Sequence, residues 1–163
     1  MNTDHKIISL DRLGLVVEKL KEDGKKIVAT NGAFDMLHVG HVLLLENSKS
    51  LGDILIVGIN SDSSVKQYKS QIRPIIPDAE RAKLVAALTC VDYVTIFEER
   101  DPVSFLKLTH PDIYTKGGDY TLEQNLQADF VRESVGKIII IPDRIQSTTA
   151  IIDKIIKISK GES

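Results

Sequence analysis

Apolar positions along the chain switch repeatedly between two periods. Leu10, Leu13, Val17 and Leu20 recur at helical spacing and Gly24 stops them, so a helix is predicted over Ser9 to Asp23. Lys26 to Thr30 is a short strand rich in β-branched residues that runs into Asn31-Gly32. From Val39 to Leu51 the pattern is helical again, and Gly52 ends it. Asp53 to Asn60 encloses an unbroken apolar run, which suits a parallel strand covered on both faces. Asp78 to Leu88 then reads as a helix and Tyr93 to Phe97 as a strand. Asp101-Pro102 opens a short helix, with Asp as cap and Pro at the first position. Asp112 to Thr115 is a strand, Leu122, Leu126 and Phe130 mark a helix, and Lys137 to Ile141 is the last strand. Ser147 or Thr148 caps a terminal helix that carries Ile151, Ile152, Ile155 and Ile156.

Strands alternating with helices predict a Rossmann-like α/β fold: three layers around a parallel five-stranded sheet. Residues 1–163 read as a single domain, with residues 1–25 as an N-terminal helical extension. In such a sheet ligands bind beyond the carboxyl ends of the strands, where the strand order reverses. The segments to inspect are therefore Asn31 to His41, Asn60 to Ser64, Lys116 to Tyr120 and Pro142 to Thr149.

The first of these holds the most chemistry. Asn31-Gly32-Ala33-Phe34-Asp35-Met36-Leu37-His38-Val39-Gly40-His41 links the first strand to its helix. Gly32 allows a tight turn there and close backbone approach to a ligand, and Gly40 allows close packing near the helix start. His38 and His41, three apart, share one face of the first helical turn. That turn also presents unpaired N–H groups and the positive end of the helix dipole. Two imidazoles over a helix N-terminus make a clamp for a phosphate that gains charge during reaction. Asp35, His38 and His41 as metal ligands is the competing reading, but no further carboxylate or Cys lies at ligand spacing, so no protein metal site is expected. Gly32 lacks the Gly-x-Gly-x-x-Gly series of a dinucleotide crossover, and no Gly-Lys-Ser/Thr is present for a P-loop.

Composition restricts the partners. Lys and Arg number 21 against 23 Asp and Glu, a net charge of −2, which excludes strong non-specific attraction to nucleic acid or anionic membrane. One cysteine, Cys90, excludes an intramolecular disulfide framework and a four-cysteine zinc site. The first residues lack an apolar signal segment, and the aliphatic run Ile138 to Ile141 is far too short to span a bilayer. The expectation is a soluble cytoplasmic domain.

His38-Val39-Gly40-His41 after Asn31-Gly32-Ala33-Phe34-Asp35 resembles the His-x-Gly-His signature of the nucleotidyltransferase superfamily. The likeness extends through Leu51-Gly52-Asp53, Asn60 to Lys66, Arg73-Pro74, Glu80-Arg81, Val91 to Val94, Lys116-Gly117-Gly118-Asp119-Tyr120 and Ser147-Thr148-Thr149, about residues 26 to 155. Lys116 to Tyr120 together with Asn60-Ser61-Asp62 points to the branch that adenylylates heptose 1-phosphate. The resemblance implies a nucleotidyltransferase-type fold, ATP and a sugar 1-phosphate as substrates, Mg²⁺ arriving with the ATP, a separate kinase to supply the sugar phosphate, and no nucleic acid or membrane partner; it also admits a homodimer. It implies that His38 and His41 are catalytic. Asn31, Gly32, Ala33, Phe34, Asp35, Lys116, Gly117, Gly118, Asp119, Tyr120, Ser147, Thr148 and Thr149 would join them in binding the nucleotide. Lys49, Asn60, Asp62, Arg73 and Arg81 are candidate phosphate or substrate contacts. The chain departs from the pattern at Ala33, where relatives often have Cys, and at Asp143-Arg144-Ile145-Gln146, where they usually carry Gly; the second departure bears on nucleotide choice. A cytidylyltransferase acting on glycerol 3-phosphate or another alcohol or sugar phosphate, and a non-catalytic ATP-binding sensor, are the alternatives.

Overall fold

The computed structural model describes residues 2–118, 133, 135–142 and 147–161. Asp119, Tyr120, the helix expected around Leu122 to Phe130, and Asp143 to Gln146 lie outside the described residues.

In chain order the elements are α1 (Leu10–Glu22), β1 (Ile27–Gly32), α2 (Val39–Lys49), β2 (Ile54–Asn60), α3 (Asp62–Tyr68), α4 (Asp78–Ala86), β3 (Tyr93–Phe97), α5 (Val103–Thr109), β4 (Ile113–Gly117), β5 (Lys137–Ile141) and α6 (Thr148–Ser159). The five strands are all parallel, in the order β3-β2-β1-β4-β5. This is the three-layer, Rossmann-like α/β fold with a parallel five-stranded sheet that the alternation predicts, and it is the type the resemblance implies. The order reverses between β1 and β4, so the switch point opens beyond Gly32 and Gly117.

The unbroken apolar runs of β1 and β2 are explained by two cores. On one face Val28, Leu55, Val57 and Val94 pack with Leu45 of α2 and Ala82, Val85 and Ala86 of α4. On the other, Ile27, Ala29, Ile56 and Tyr114 pack with Leu13 and Val17 of α1 and Phe105 and Leu106 of α5. Successive strand residues alternate between these cores, as the period of two requires. Ahead of α1, the Ile8 N–H donates to the Val94 carbonyl at 2.9 Å, so the chain runs alongside β3 before turning into the helix. Among the described residues no helix is long and apolar enough to cross a membrane.

Local details differ from the sequence pattern in three places. Helix α5 starts at Val103, one residue later than Asp101-Pro102 implies: Pro102 occupies the cap position and the Asp101 carboxylate accepts from the Val103 N–H at 3.2 Å. Gly52 is needed for a close approach as well as for ending α2, since a Cβ there would lie 2.8 Å from the Lys26 carbonyl oxygen. Helix α3 has no apolar stripe to announce it. Ser61 caps it, its hydroxyl accepting from the Ser64 N–H, and Val65 is its one buried hydrophobe.

Candidate active site

Strand β1 runs straight through Gly32, and the turn follows it. The left-handed conformations fall on Phe34 (φ 49°) and Met36 (φ 57°), a correction to the turn role expected of Gly32. Gly32 instead makes room: a Cβ there would meet the Phe34 ring at 3.3 Å, and that ring folds back, buried, against His41 with centroids 5.1 Å apart. His38 is the extended cap residue of α2. The His38 N–H points at His41 Nδ1 at 3.4 Å, and the two imidazoles stack with centroids 3.8 Å apart. A neutral His41 accepting at Nδ1 carries its proton on Nε2, which makes Nε2 a donor.

Long-range contacts hold this turn. The Asp35 side chain is fully buried; its carboxylate accepts from the Ile75 and Ile76 N–H groups at about 3.0 Å and from Arg73 Nε at 2.7 Å. Burial alone would raise the Asp35 pKa, but the two N–H donors and the Arg73 guanidinium together keep it below its ordinary 3.8. The Asp35 carbonyl accepts from the Thr148 hydroxyl at 2.7 Å, which fastens the N-terminus of α6 to the turn. Arg81, with no exposed side-chain surface, donates to the Ala33 and Ile76 carbonyls and to Asp62 Oδ1.

These walls enclose a cavity of about 390 Å³ at the switch point, within the size range of small-ligand sites. Asn31 to Asp35, His38 and His41 line one side, Lys116, Gly117 and Gly118 another, and Ser147, Thr148 and Thr149 the α6 end. Thirteen expected nucleotide contacts are thus described in one cavity; Asp119 and Tyr120 fall outside the described residues. Lys116 is half-buried, and burial pushes its pKa down to about 8, so it carries charge at neutral pH.

The additional phosphate candidates divide. Lys49 sits at the far end of α2, where its ammonium pairs with Asp92 Oδ2 at 2.5 Å and donates to the Asp53 carbonyl, so it reaches no cavity wall. Lys49→Ala is therefore expected to leave turnover within about twofold and to lower stability by about 1 kcal/mol or less; a kinetic assay and a urea titration check both. Asn60 is buried, its amide donating to Ser64 Oγ at 2.9 Å, and Asp62 accepts from Arg81. Arg73 and Arg81 brace the turn through Asp35 and Ala33. None of the five lines the cavity.

Leu44 and Lys69 do, and the sequence pattern misses both. Lys69 follows α3 in a polar run that reads as a solvated loop. Its pKa is lowered, by burial first and then by Arg73. The Arg73 and Ile75 contacts to Asp35 draw this loop to the mouth, and no local signal carries them.

The cytidylyltransferase-like family model matches residues 29–154, which include every wall of this cavity. The chain belongs to that family. Among its relatives is a protein named Bifunctional protein HldE from Geobacter metallireducens, 48% identical over 158 residues and covering 96% of this chain. A second of that name, from Geotalea uraniireducens, is 45% identical over 94% of the chain. The chain spans about a third of the length of each. Among solved structures, the lipopolysaccharide core biosynthesis protein from Thermoplasma volcanium is 30% identical, with a TM-score of 0.63, and covers 76% of this chain and 100% of that one. The pantoate-beta-alanine ligase from Francisella tularensis, solved with beta-gamma ATP and beta-alanine, shares the fold at 19% identity and a TM-score of 0.63, over 86% of this chain and 67% of that one.

Proposed function

We propose that this cytidylyltransferase-like chain transfers the adenylyl group of ATP to D-glycero-β-D-manno-heptose 1-phosphate, giving ADP-heptose and pyrophosphate. The observation that carries the reading is the stacked His38–His41 pair over the α2 N-terminus, opening into the cavity that Gly117, Gly118 and Ser147 to Thr149 complete. The names of the relatives and of the Thermoplasma structure agree with it.

A phosphate oxygen of the acceptor attacks the α-phosphorus; the bond to the β-phosphate oxygen breaks, and pyrophosphate leaves with that electron pair. The attacking phosphate is already ionised near neutral pH, with a second pKa of about 6, so no general base is needed. The protein's part is to align the three groups and to stabilise charge growing on the α-phosphoryl oxygens and the leaving pyrophosphate. His41 Nε2, His38 and the first-turn N–H groups of α2 supply the donors for that charge. Gly117 and Gly118 admit the nucleoside close to the backbone at the end of β4, and Ser147 to Thr149 close the α6 side.

Mg²⁺ accompanies the triphosphate and neutralises part of its charge. The described residues offer it no site of their own: Asp35 is the single carboxylate in the described cavity wall, and its oxygens are taken by Ile75, Ile76 and Arg73. The ion's preference for oxygen ligands places it on the phosphates. The acceptor's phosphate is supplied by a sugar kinase, and the enzyme works in the cytoplasm.

The family description is also compatible with a second reading, a cytidylyltransferase acting on glycerol 3-phosphate or another alcohol or sugar phosphate. Pyrophosphate release with Mg²⁺ and each of ATP, CTP, GTP and UTP, against heptose 1-phosphate and separately glycerol 3-phosphate, separates them. Release with ATP and the heptose phosphate alone is expected. Release only with CTP supports the second reading, and ATP binding without release from any pair identifies a sensor.

A further inference from the structure

The cavity has a polar wall that the histidine pair does not use. Thr115 places its hydroxyl 2.7 Å from Ser48 Oγ of α2, and Gly117 backs onto Leu44 of the same helix. Side chains alternate along a strand, so Tyr114 and Lys116 project from the other face of the sheet. There the Lys116 ammonium donates to Asn31 Oδ1 at 2.7 Å and to the Asn31 carbonyl at 3.1 Å, and the Tyr114 hydroxyl also donates to Asn31 Oδ1. An ammonium can only donate, so the atom it touches is the amide oxygen, and the other end of the carboxamide is its NH₂. Asn31 is only 8% exposed, yet it lines the cavity. Its orientation is thus fixed by two donors on the oxygen, with the NH₂ turned away from both.

We propose that the Asn31 amide and the Lys116 ammonium, which the resemblance assigns to the nucleotide, instead form the subsite that receives the acceptor's phosphate, on the opposite side of the reacting phosphorus from the histidine pair. The inference rests on the adenylyl-transfer reading and deepens it. In-line displacement puts the attacking oxygen and the leaving pyrophosphate on opposite sides of the α-phosphorus. The α2 face supplies the histidines and helix N–H groups, so the attacking phosphate needs its own cation and donors on the far side. Asn31 and Lys116 end adjacent strands at the switch point and provide both. Partial burial of Lys116 beside Asn31 strengthens the attraction of that cation for a dianion.

The test uses Asn31→Asp and Lys116→Met with ATP and heptose 1-phosphate. In Asn31→Asp the carboxylate still accepts from Lys116 and Tyr114, so the fold is expected to survive while the NH₂ becomes a repelling charge. Each substitution is expected to raise KM for the sugar phosphate by about tenfold or more while changing the ATP Kd, measured by calorimetry without acceptor, by less than about twofold. Calorimetry of heptose 1-phosphate binding to the protein loaded with a non-hydrolysable ATP analogue should show the same loss. A raised ATP Kd with an unchanged acceptor KM would overturn the proposal and place the pair at the nucleotide. If Asn31→Asp fails to fold, Lys116→Met decides by the same comparison. Wild-type protein that releases no pyrophosphate with a sugar 1-phosphate would overturn the underlying reading instead; normal wild-type turnover with both variants unaffected overturns this inference alone.

Discussion

Replacing His41 with Ala is expected to lower kcat by about 100-fold or more, the scale for deleting one preorganised donor from a charge-stabilising site. The ring stands at the start of α2 with Nδ1 facing the His38 N–H and its plane stacked on His38. Nε2 then serves as a donor wherever charge grows on the transferring phosphoryl. The effect falls on kcat because the growing charge exists only in the transition state; ground-state ATP binding, shared with the helix N–H groups and the other cavity walls, changes far less. His41→Ala also removes a contact to the Phe34 ring and part of the α2 cap, at a stability cost of about 1 kcal/mol. Thermal unfolding of the variant separates that cost from catalysis. A folded His41→Ala protein with near-normal turnover would remove the histidine from the mechanism.

The largest stability effect is expected at Asp35. Asp35→Ala leaves the Arg73 guanidinium, 12% exposed, without its carboxylate and leaves the Ile75 and Ile76 N–H groups unpaired. Breaking a buried pair in this way costs about 3–5 kcal/mol, which for a domain of this size lowers Tm by roughly 10 °C. Much of the loss comes from the stranded cation, so Asp35→Ala combined with Arg73→Met should recover part of it. Because the folded protein holds Asp35 below 3.8, its contribution is complete above that pH and is lost as the pH falls through the lowered value. A Tm change of only a degree or two in Asp35→Ala, measured by circular dichroism, would show that the 69–76 loop is held by something else.

How much of this was legible in the sequence follows from how local each signal is. The turn from Asn31 to His41 could be read because its donors and helix start are packed into eleven consecutive residues. Lys116 to Gly118 and Ser147 to Thr149 could be read because a parallel sheet brings its strand ends together whatever the side chains are. Lys49 is a candidate phosphate contact by sequence, but it lies too far along α2 to reach the cavity. Eight residues beyond His41 is roughly 12 Å along the axis, toward the other end of the sheet, where Asp92 receives it. Arg81, a candidate phosphate or substrate contact by sequence, is fully buried. Its partners, Ala33, Ile76 and Asp62, lie 48, 5 and 19 residues away. Lys69 was missed for a related reason: Asp35, from 38 residues upstream, fastens Arg73 and with it the loop that carries Lys69 to the cavity.

The measurement that bears most directly on the central claim is a competition in one tube. Wild-type protein, Mg²⁺ and heptose 1-phosphate are incubated with equimolar ATP, CTP, GTP and UTP, and the nucleotide sugars formed are identified by mass spectrometry while pyrophosphate is counted. ADP-heptose as the dominant product, matched one to one by pyrophosphate, is the result the account predicts. CDP-heptose as the dominant product, or consumption of no nucleotide at all, would contradict it.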